Sequence, residues 1–173
     1  GFGDEDVSFL RGVLSGTAYH SIDDEQRFVL AGRARLGSIV GEDNEDLPAN
    51  QRFYAGGGDS IRGYAFQSVG PQSFRVEPGN IERVPRGGRS LFLLSGEIRA
   101  KFTKSLGAVV FIDGGNAYDD SFPDGSGNLQ WAAGFGGRYF TPVGPIRLDF
   151  GFPLNPRSFD DPFQFYISIG QAF

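Results

Sequence analysis

Large apolar side chains alternate with charged or small ones along segment after segment of this chain, and a period of two confines such segments to β-strands. In segment 90–103, Phe92, Leu94, Ile98, Ala100 and Phe102 share one face, while Ser95, Glu97, Arg99 and Lys101 share the other. Successive strand residues point to opposite faces, so the sheet has one apolar and one charged surface. Segment 27–40 sets Phe28, Leu30, Ala34 and Leu36 against Arg33 and Arg35. Segment 106–118 sets Leu106, Ala108, Val110 and Ile112 against Asp113, and segment 144–153 sets Ile146, Leu148, Phe150 and Phe152 against Arg147, Asp149 and Gly151.

Seven segments follow this rule, at about 8–20, 27–40, 90–103, 106–118, 129–141, 144–153 and 163–173. Their connections alternate in length. Asp23-Asp-Glu-Gln26, Thr103-Lys-Ser105 and Thr141-Pro-Val143 are short, whereas 41–89, 119–128 and 154–162 are long. Outer-membrane barrels have short periplasmic turns and long external loops, with lipid outside and a wet lumen inside. A soluble sandwich also alternates, but Arg on several adjacent strands opposite large aromatics suits a polar lumen better. The expected fold class is therefore all-β, a transmembrane antiparallel β-barrel. The 27 Gly and 18 Phe fit that class, and no apolar run of about 18 residues offers a helical span.

The last segment places Phe163, Phe165, Ile167, Ile169 and Phe173 on one face and Gln164, Tyr166, Ser168, Gly170 and Ala172 on the other. Seven strands is an odd number, whereas single-chain bacterial barrels have even counts of eight or more. Residues 1–7 have the character of the tail of an external loop, and residue 1 is not Met. The expectation is a fragment, residues 1–173 being the carboxy-terminal portion of one larger barrel domain with further strands before it.

A formal charge of −5 and a pI near 4.8 oppose broad nucleic-acid binding, which needs a concentrated cationic surface. With no Cys there is neither a disulfide nor a thiolate metal site. No cofactor is expected.

The long connection 41–89 carries Phe53-Tyr-Ala-Gly-Gly-Gly-Asp-Ser-Ile-Arg-Gly-Tyr64. A loop this long is commonly functional. If it folds into the lumen, Arg62 needs a carboxylate, because an unpaired buried charge is costly. Glu97 and Asp113 stand on lumen faces, and neighbouring strands can present both to one planar guanidinium. Glycines 56, 57, 58 and 63 let the backbone approach the wall.

At these residues the chain resembles the outer-membrane assembly and translocation superfamily that includes BamA, TamA and the two-partner secretion transporters. The matching pieces are Phe53-Tyr-Ala-Gly-Gly with Ile61-Arg-Gly-Tyr64, Ser95-Gly-Glu97-Ile98, Val110-Phe-Ile-Asp-Gly-Gly115 and Pro142-Val-Gly-Pro-Ile-Arg-Leu-Asp149. The resemblance covers about residues 8–173, and Ser60-Ile-Arg-Gly-Tyr64 with Pro142–Phe150 looks closest to the barrel of TamA. It implies a sixteen-stranded barrel preceded by POTRA domains, with the motif loop tucked inside and Arg62 held by Glu97 and Asp113. Gly63 and Tyr64 complete the motif. These 173 residues contain no POTRA domain and not the first strand, which in the family forms a lateral seam with the last.

The resemblance implies a non-enzymatic role: insertion of client β-barrel or autotransporter proteins through that seam, by strand addition at a sheet edge. Implied partners are outer-membrane lipid, client outer-membrane proteins and a periplasm-spanning TamB-like protein acting through POTRA domains. The fragment itself is expected to self-associate through open edges. Two other readings stand beside this one. A passive channel would use Arg33, Arg35, Arg99, Lys101, Arg138 and Arg147 for anion preference, and a surface-binding module would use the long loops.

Other chemistries are weaker. Gly58-Asp-Ser-Ile61 resembles a hydrolase nucleophile block, but the lone His20 precedes Ser60 and makes a poor triad or metal site. Asp119, Asp120 and Asp124 lack the EF-hand spacing. The acidic run 42–46 suits a solvated loop, or divalent-bridged contact with lipopolysaccharide. Gly56-Gly-Gly58 and Gly134-Phe-Gly-Gly137 open no helix and lack the P-loop Lys, so the latter is expected to shape barrel curvature.

Overall fold

Seven long-range strands form one antiparallel sheet in a computed structural model that describes residues 8–41, 43–124, 129–170 and 173, apart from the side chains of Glu77 and Asn80. Residues 1–7, Glu42 of the acidic run, and Gln171 and Ala172 near the carboxy-terminus lie outside the described residues. The strands are β1 (Leu10–Ser21), β2 (Phe28–Val40), β5 (Ser90–Lys101), β6 (Leu106–Tyr118), β7 (Gln130–Thr141), β8 (Gly144–Pro153) and β9 (Gln164–Ile169). A separate hairpin, β3 (Gln72–Glu77) and β4 (Asn80–Pro85), stands within the β2–β5 connection.

The sheet order is β1-β2-β5-β6-β7-β8-β9, so each strand pairs with its neighbours along the chain once the hairpin is set aside. Among the described residues β1 pairs with β2 alone and β9 with β8 alone, which leaves the barrel unclosed. Register explains the two faces. One line across the sheet runs Leu30, Ile98, Val110, Phe135, Phe150 and Phe165, an apolar outer row. The Phe135, Phe150 and Phe165 rings stack at 5.7 Å centroid spacings along it. The adjacent line runs Ala31, Glu97, Phe111, Gly134 and Gly151 and faces inward, where Ala31, Glu97 and Phe111 are buried.

What buries that inner wall is the β2–β5 connection. Leu47, Phe53, Ile61, Tyr64 and Val69 from the loop pack with Ile39, Leu91, Leu93 and Ala117 from the wall. Full burial of a side chain such as Ile61 is worth about 1.5–3 kcal/mol, so several together hold the loop inside. Backbone bridges Phe53 to Gly88 and Ala55 to Val69 close its base. The inner wall is thus apolar toward the long-loop end and charged toward the short turns.

Two features differ from the sequence expectation. The hairpin interrupts what reads as a structureless loop; its strands are six residues each, turning at Gly79 with φ +84°. The terminal strand spans Gln164–Ile169 rather than 163–173, because Gly170 takes φ +103° and ends the extended run. Phe173 consequently does not share the outer face of Phe165, Ile167 and Ile169. It stacks on Tyr19 at 6.4 Å and lies beneath the inward guanidinium groups of Arg33 and Arg99, at 4.9 and 5.0 Å. Phe163 precedes β9, yet its ring packs on Phe152 at 6.3 Å.

A buried ion cluster around the folded-in loop

Three glycines bring the motif loop against the wall. Gly63 has φ +105°, which disfavours any other residue. A Cβ there would stand 2.8 Å from Ala132 Cβ, and one on Gly151 would stand 2.5 Å from the Gly63 nitrogen. On the next strand a Cβ at Gly134 would strike the Phe111 ring. The bare backbone at these positions leaves room for the loop and for that ring.

The approach delivers Arg62 into the wall. Its Nε donates to Asp113 Oδ2 at 2.7 Å and its Nη2 to Asp113 Oδ1 at 3.0 Å, the bidentate fork that a guanidinium offers a carboxylate. The Arg62 backbone N–H adds a third bond to Asp113 Oδ2 at 3.1 Å. Nη1 donates to Glu97 Oε1 at 2.5 Å, and Asp149 Oδ2 lies 3.7 Å away. The Phe111 ring supports the guanidinium at 3.6 Å from its centroid. Burial alone would depress the Arg62 pKa; Asp113 and Glu97 outweigh it and hold the group above its ordinary value.

The cluster extends beyond the three expected residues. Arg99 Nε donates to Glu97 Oε2 at 2.7 Å, and Arg138 Nη1 donates to Asp149 Oδ1 at 2.5 Å. Arg62, Arg99 and Arg138 thus face Glu97, Asp113 and Asp149, three charges against three, and all three carboxylate side chains are 1% exposed. A buried group of this size is tolerable because its charges balance, although Arg138 Nη2 and Asp149 Oδ2 have no hydrogen-bond partner among the described residues.

Tyr166 ties the loop to the terminal strand. Its hydroxyl donates to the Tyr64 carbonyl at 2.7 Å and accepts from the Gly63 N–H at 3.3 Å. Tyr64 in turn donates to Asn155 Oδ1 at 3.1 Å, beyond β8. Burial pushes the Tyr64 phenol up to about 12, with Asp160 adding to the effect.

The structure brings Arg62, Gly63, Tyr64, Glu97 and Asp113 together. Phe165, Ile167 and Ile169 occupy the outer face of β9, away from the cluster. Asp149, Arg138, Phe111 and Tyr166 join the cluster beyond the sequence expectation; inward parity on their strands is the signal that places them there. Arg33, Arg35, Arg99, Lys101, Arg138 and Arg147 all occupy inward register lines. Ser60 Oγ accepts from the Gly56 N–H at 2.7 Å, a bond within the loop, whereas His20 shares an outward line with Leu30. Asp119 pairs with Arg86 and accepts from Asn44 Nδ2. Among the described residues no group of three or more His, Asp or Glu is placed to hold a metal ion.

Comparison with known proteins matches residues 1–173 to the Omp85 superfamily domain. The outer membrane protein assembly factor BamA of Nitratidesulfovibrio vulgaris is 33% identical over 99% of this chain, and that of Neisseria meningitidis serogroup B is 25% identical over 84%. A SAM50-like protein of Schizosaccharomyces pombe is 24% identical over 89%. The chain spans 21% of each BamA and 33% of the SAM50-like protein. Among solved structures, BamA from Haemophilus ducreyi lacking POTRA domains 1–3 superimposes with a TM-score of 0.75 at 21% identity, covering 92% of this chain and 35% of that one.

Proposed function

This chain belongs to the Omp85 superfamily and is part of a bacterial outer-membrane β-barrel, and on that basis we propose that it serves in a factor that inserts client β-barrel proteins through a lateral seam at β9. The work is geometric, with no bond made or broken in the client. A client strand adds to the open edge of β9 by backbone hydrogen bonding, as strands add to any exposed edge. Clients of autotransporter type and a periplasm-spanning partner acting through POTRA domains belong to the same reading.

One observation carries it. Of the two strands with an open edge among the described residues, β1 and β9, it is β9 whose Tyr166 holds the motif loop, by bonds to Tyr64 and Gly63. The cluster around Arg62 therefore supports the inner face of β9 while its outer edge stays unpaired among the described residues. Its similarity to the outer membrane protein assembly factor BamA of two bacteria supports this role.

The test places a photo-crosslinking residue in turn at Ser168 and Ile169 of the full-length protein during client insertion. Crosslinks from β9 to the client's terminal strand are expected. Efficient insertion with no β9 crosslink, while crosslinkers on other strands capture the client, would remove the seam from the mechanism.

A further inference from the structure

Below the Arg62 cluster, toward the short turns, one register line crosses the inner wall through Lys101, Gly107, Arg138 and Arg147. Arg138 and Arg147 are direct cross-strand partners, and Gly107 contributes no side chain between Lys101 and Arg138. Like charges placed directly opposite on adjacent strands are destabilising. Among the described residues the one carboxylate bonded to this line is Asp149, which accepts from Arg138 Nη1 and also faces Arg62. The positive charge of the line therefore exceeds what its neighbours supply.

A cavity of about 200 Å³ opens beside it, lined by Arg27, Arg99, Lys101 and Arg138 among apolar side chains. Arg27 is paired with Asp23 and Glu25, and Arg99 with Glu97. Arg138 is 7% exposed, and its Nη2 is buried without a hydrogen-bond partner. Lys101 has no ion-pair partner among the described residues; its ammonium lies 5.1 Å from the Phe140 ring centroid. A buried guanidinium nitrogen left open in the same cavity wall as an unpaired ammonium is the donor arrangement of an oxyanion site.

We propose that this cavity binds a phosphate group through Lys101 and the Arg138 guanidinium, whose Nη2 has no partner among the described residues. A phosphate satisfies the open donor and offsets the cationic line in one step. Its two sources are a phospholipid headgroup at the membrane face beside the short turns and free phosphate.

The experiment uses the full-length protein in non-ionic detergent and phosphate-free buffer, titrated calorimetrically with inorganic phosphate. Lys101→Gln, Arg138→Gln and, on the remote hairpin, Arg75→Gln are compared with wild type. Saturable binding that weakens roughly tenfold in the first two and is unchanged in the third is expected, since a charged hydrogen bond is lost. Arg138→Gln also releases Asp149 and can disturb folding, so Lys101→Gln decides. Native mass spectrometry of protein extracted from membranes identifies the source: a phospholipid adduct kept by wild type and lost in Lys101→Gln indicates the headgroup, and phosphate binding without an adduct indicates the free ion. If neither phosphate binding nor an adduct depends on Lys101, the site is overturned.

Discussion

Gly63 and Gly151 meet backbone to backbone, so closely that a single methyl group on Gly151 would stand 2.5 Å from the Gly63 nitrogen and 2.8 Å from the Arg62 carbonyl carbon. The loop motif and β8 are in contact there with no side chain between them. The Arg62 fork onto Asp113 depends on that spacing, because Arg62 and Gly63 are adjacent in the segment that Gly151 admits.

Gly151→Ala is accordingly expected to lift the motif off the wall, at a cost of about 1–3 kcal/mol by overpacking. Trypsin offers a direct measure, since cleavage after Arg62 requires the buried residue to leave its cluster. Faster cleavage at Arg62–Gly63, identified by peptide mass, should accompany Gly151→Ala. Cleavage at the wild-type rate would show that the close contact does not hold the loop.

Arg62→Lys keeps the charge but loses the fork onto Asp113 and the flat stacking on Phe111, so it should loosen the loop nearly as much as Arg62→Ala. Arg62→Ala leaves buried acids without their partner, a change that costs about 3–5 kcal/mol. Adding Asp113→Asn to Arg62→Ala should restore part of the lost stability, read as a coupling in a double-mutant cycle from denaturant unfolding. Additive losses would mean that the pair does not act as a unit.

Much of this arrangement was legible in the sequence, and for physical reasons. Parity fixed which face Arg33, Glu97, Arg99, Asp113 and Arg147 occupy, because a register slip of one residue would turn each apolar row inward. A buried guanidinium needs acids, which connected Arg62 to Glu97 and Asp113. Asp149 was harder to see. Its strand stands two places from that of Asp113, and strand alternation does not say that both come within reach of Arg62. Phe173 departs from the alternating face because the chain turns at Gly170, with φ +103°, a turn about which alternation carries no information. The β3–β4 hairpin escaped notice because six-residue strands give too short a pattern to distinguish from a loop.

Tyr166→Phe removes the hydroxyl that bonds Tyr64 and Gly63 while keeping the ring that packs beside Gly58. The expected loss is about 1 kcal/mol. Hydrogen exchange should then accelerate at the Gly63 amide and along β9, with β2 and β5 unchanged. If Gly63 exchanges faster but β9 does not, the hydroxyl anchors the loop without linking it to the terminal strand.

The β8–β9 connection carries its own pH-sensitive tie. The Arg157 N–H donates to Asp160 Oδ2 at 2.7 Å, and its guanidinium adds Nε and Nη2 bonds at 2.9 and 2.8 Å. Burial of the Asp160 carboxyl acts to raise its pKa, but these bonds and the Arg157 charge outweigh it and hold the group below its ordinary value of 3.8. A depressed folded pKa contributes stability that is complete above the unfolded value and lost as pH falls through the folded one. The Arg157 amide resonance should therefore titrate with a midpoint below 3.8, and Asp160→Asn should abolish that step. A midpoint at or above the ordinary value would show that burial outweighs the arginine and that this tie adds nothing to the connection at neutral pH.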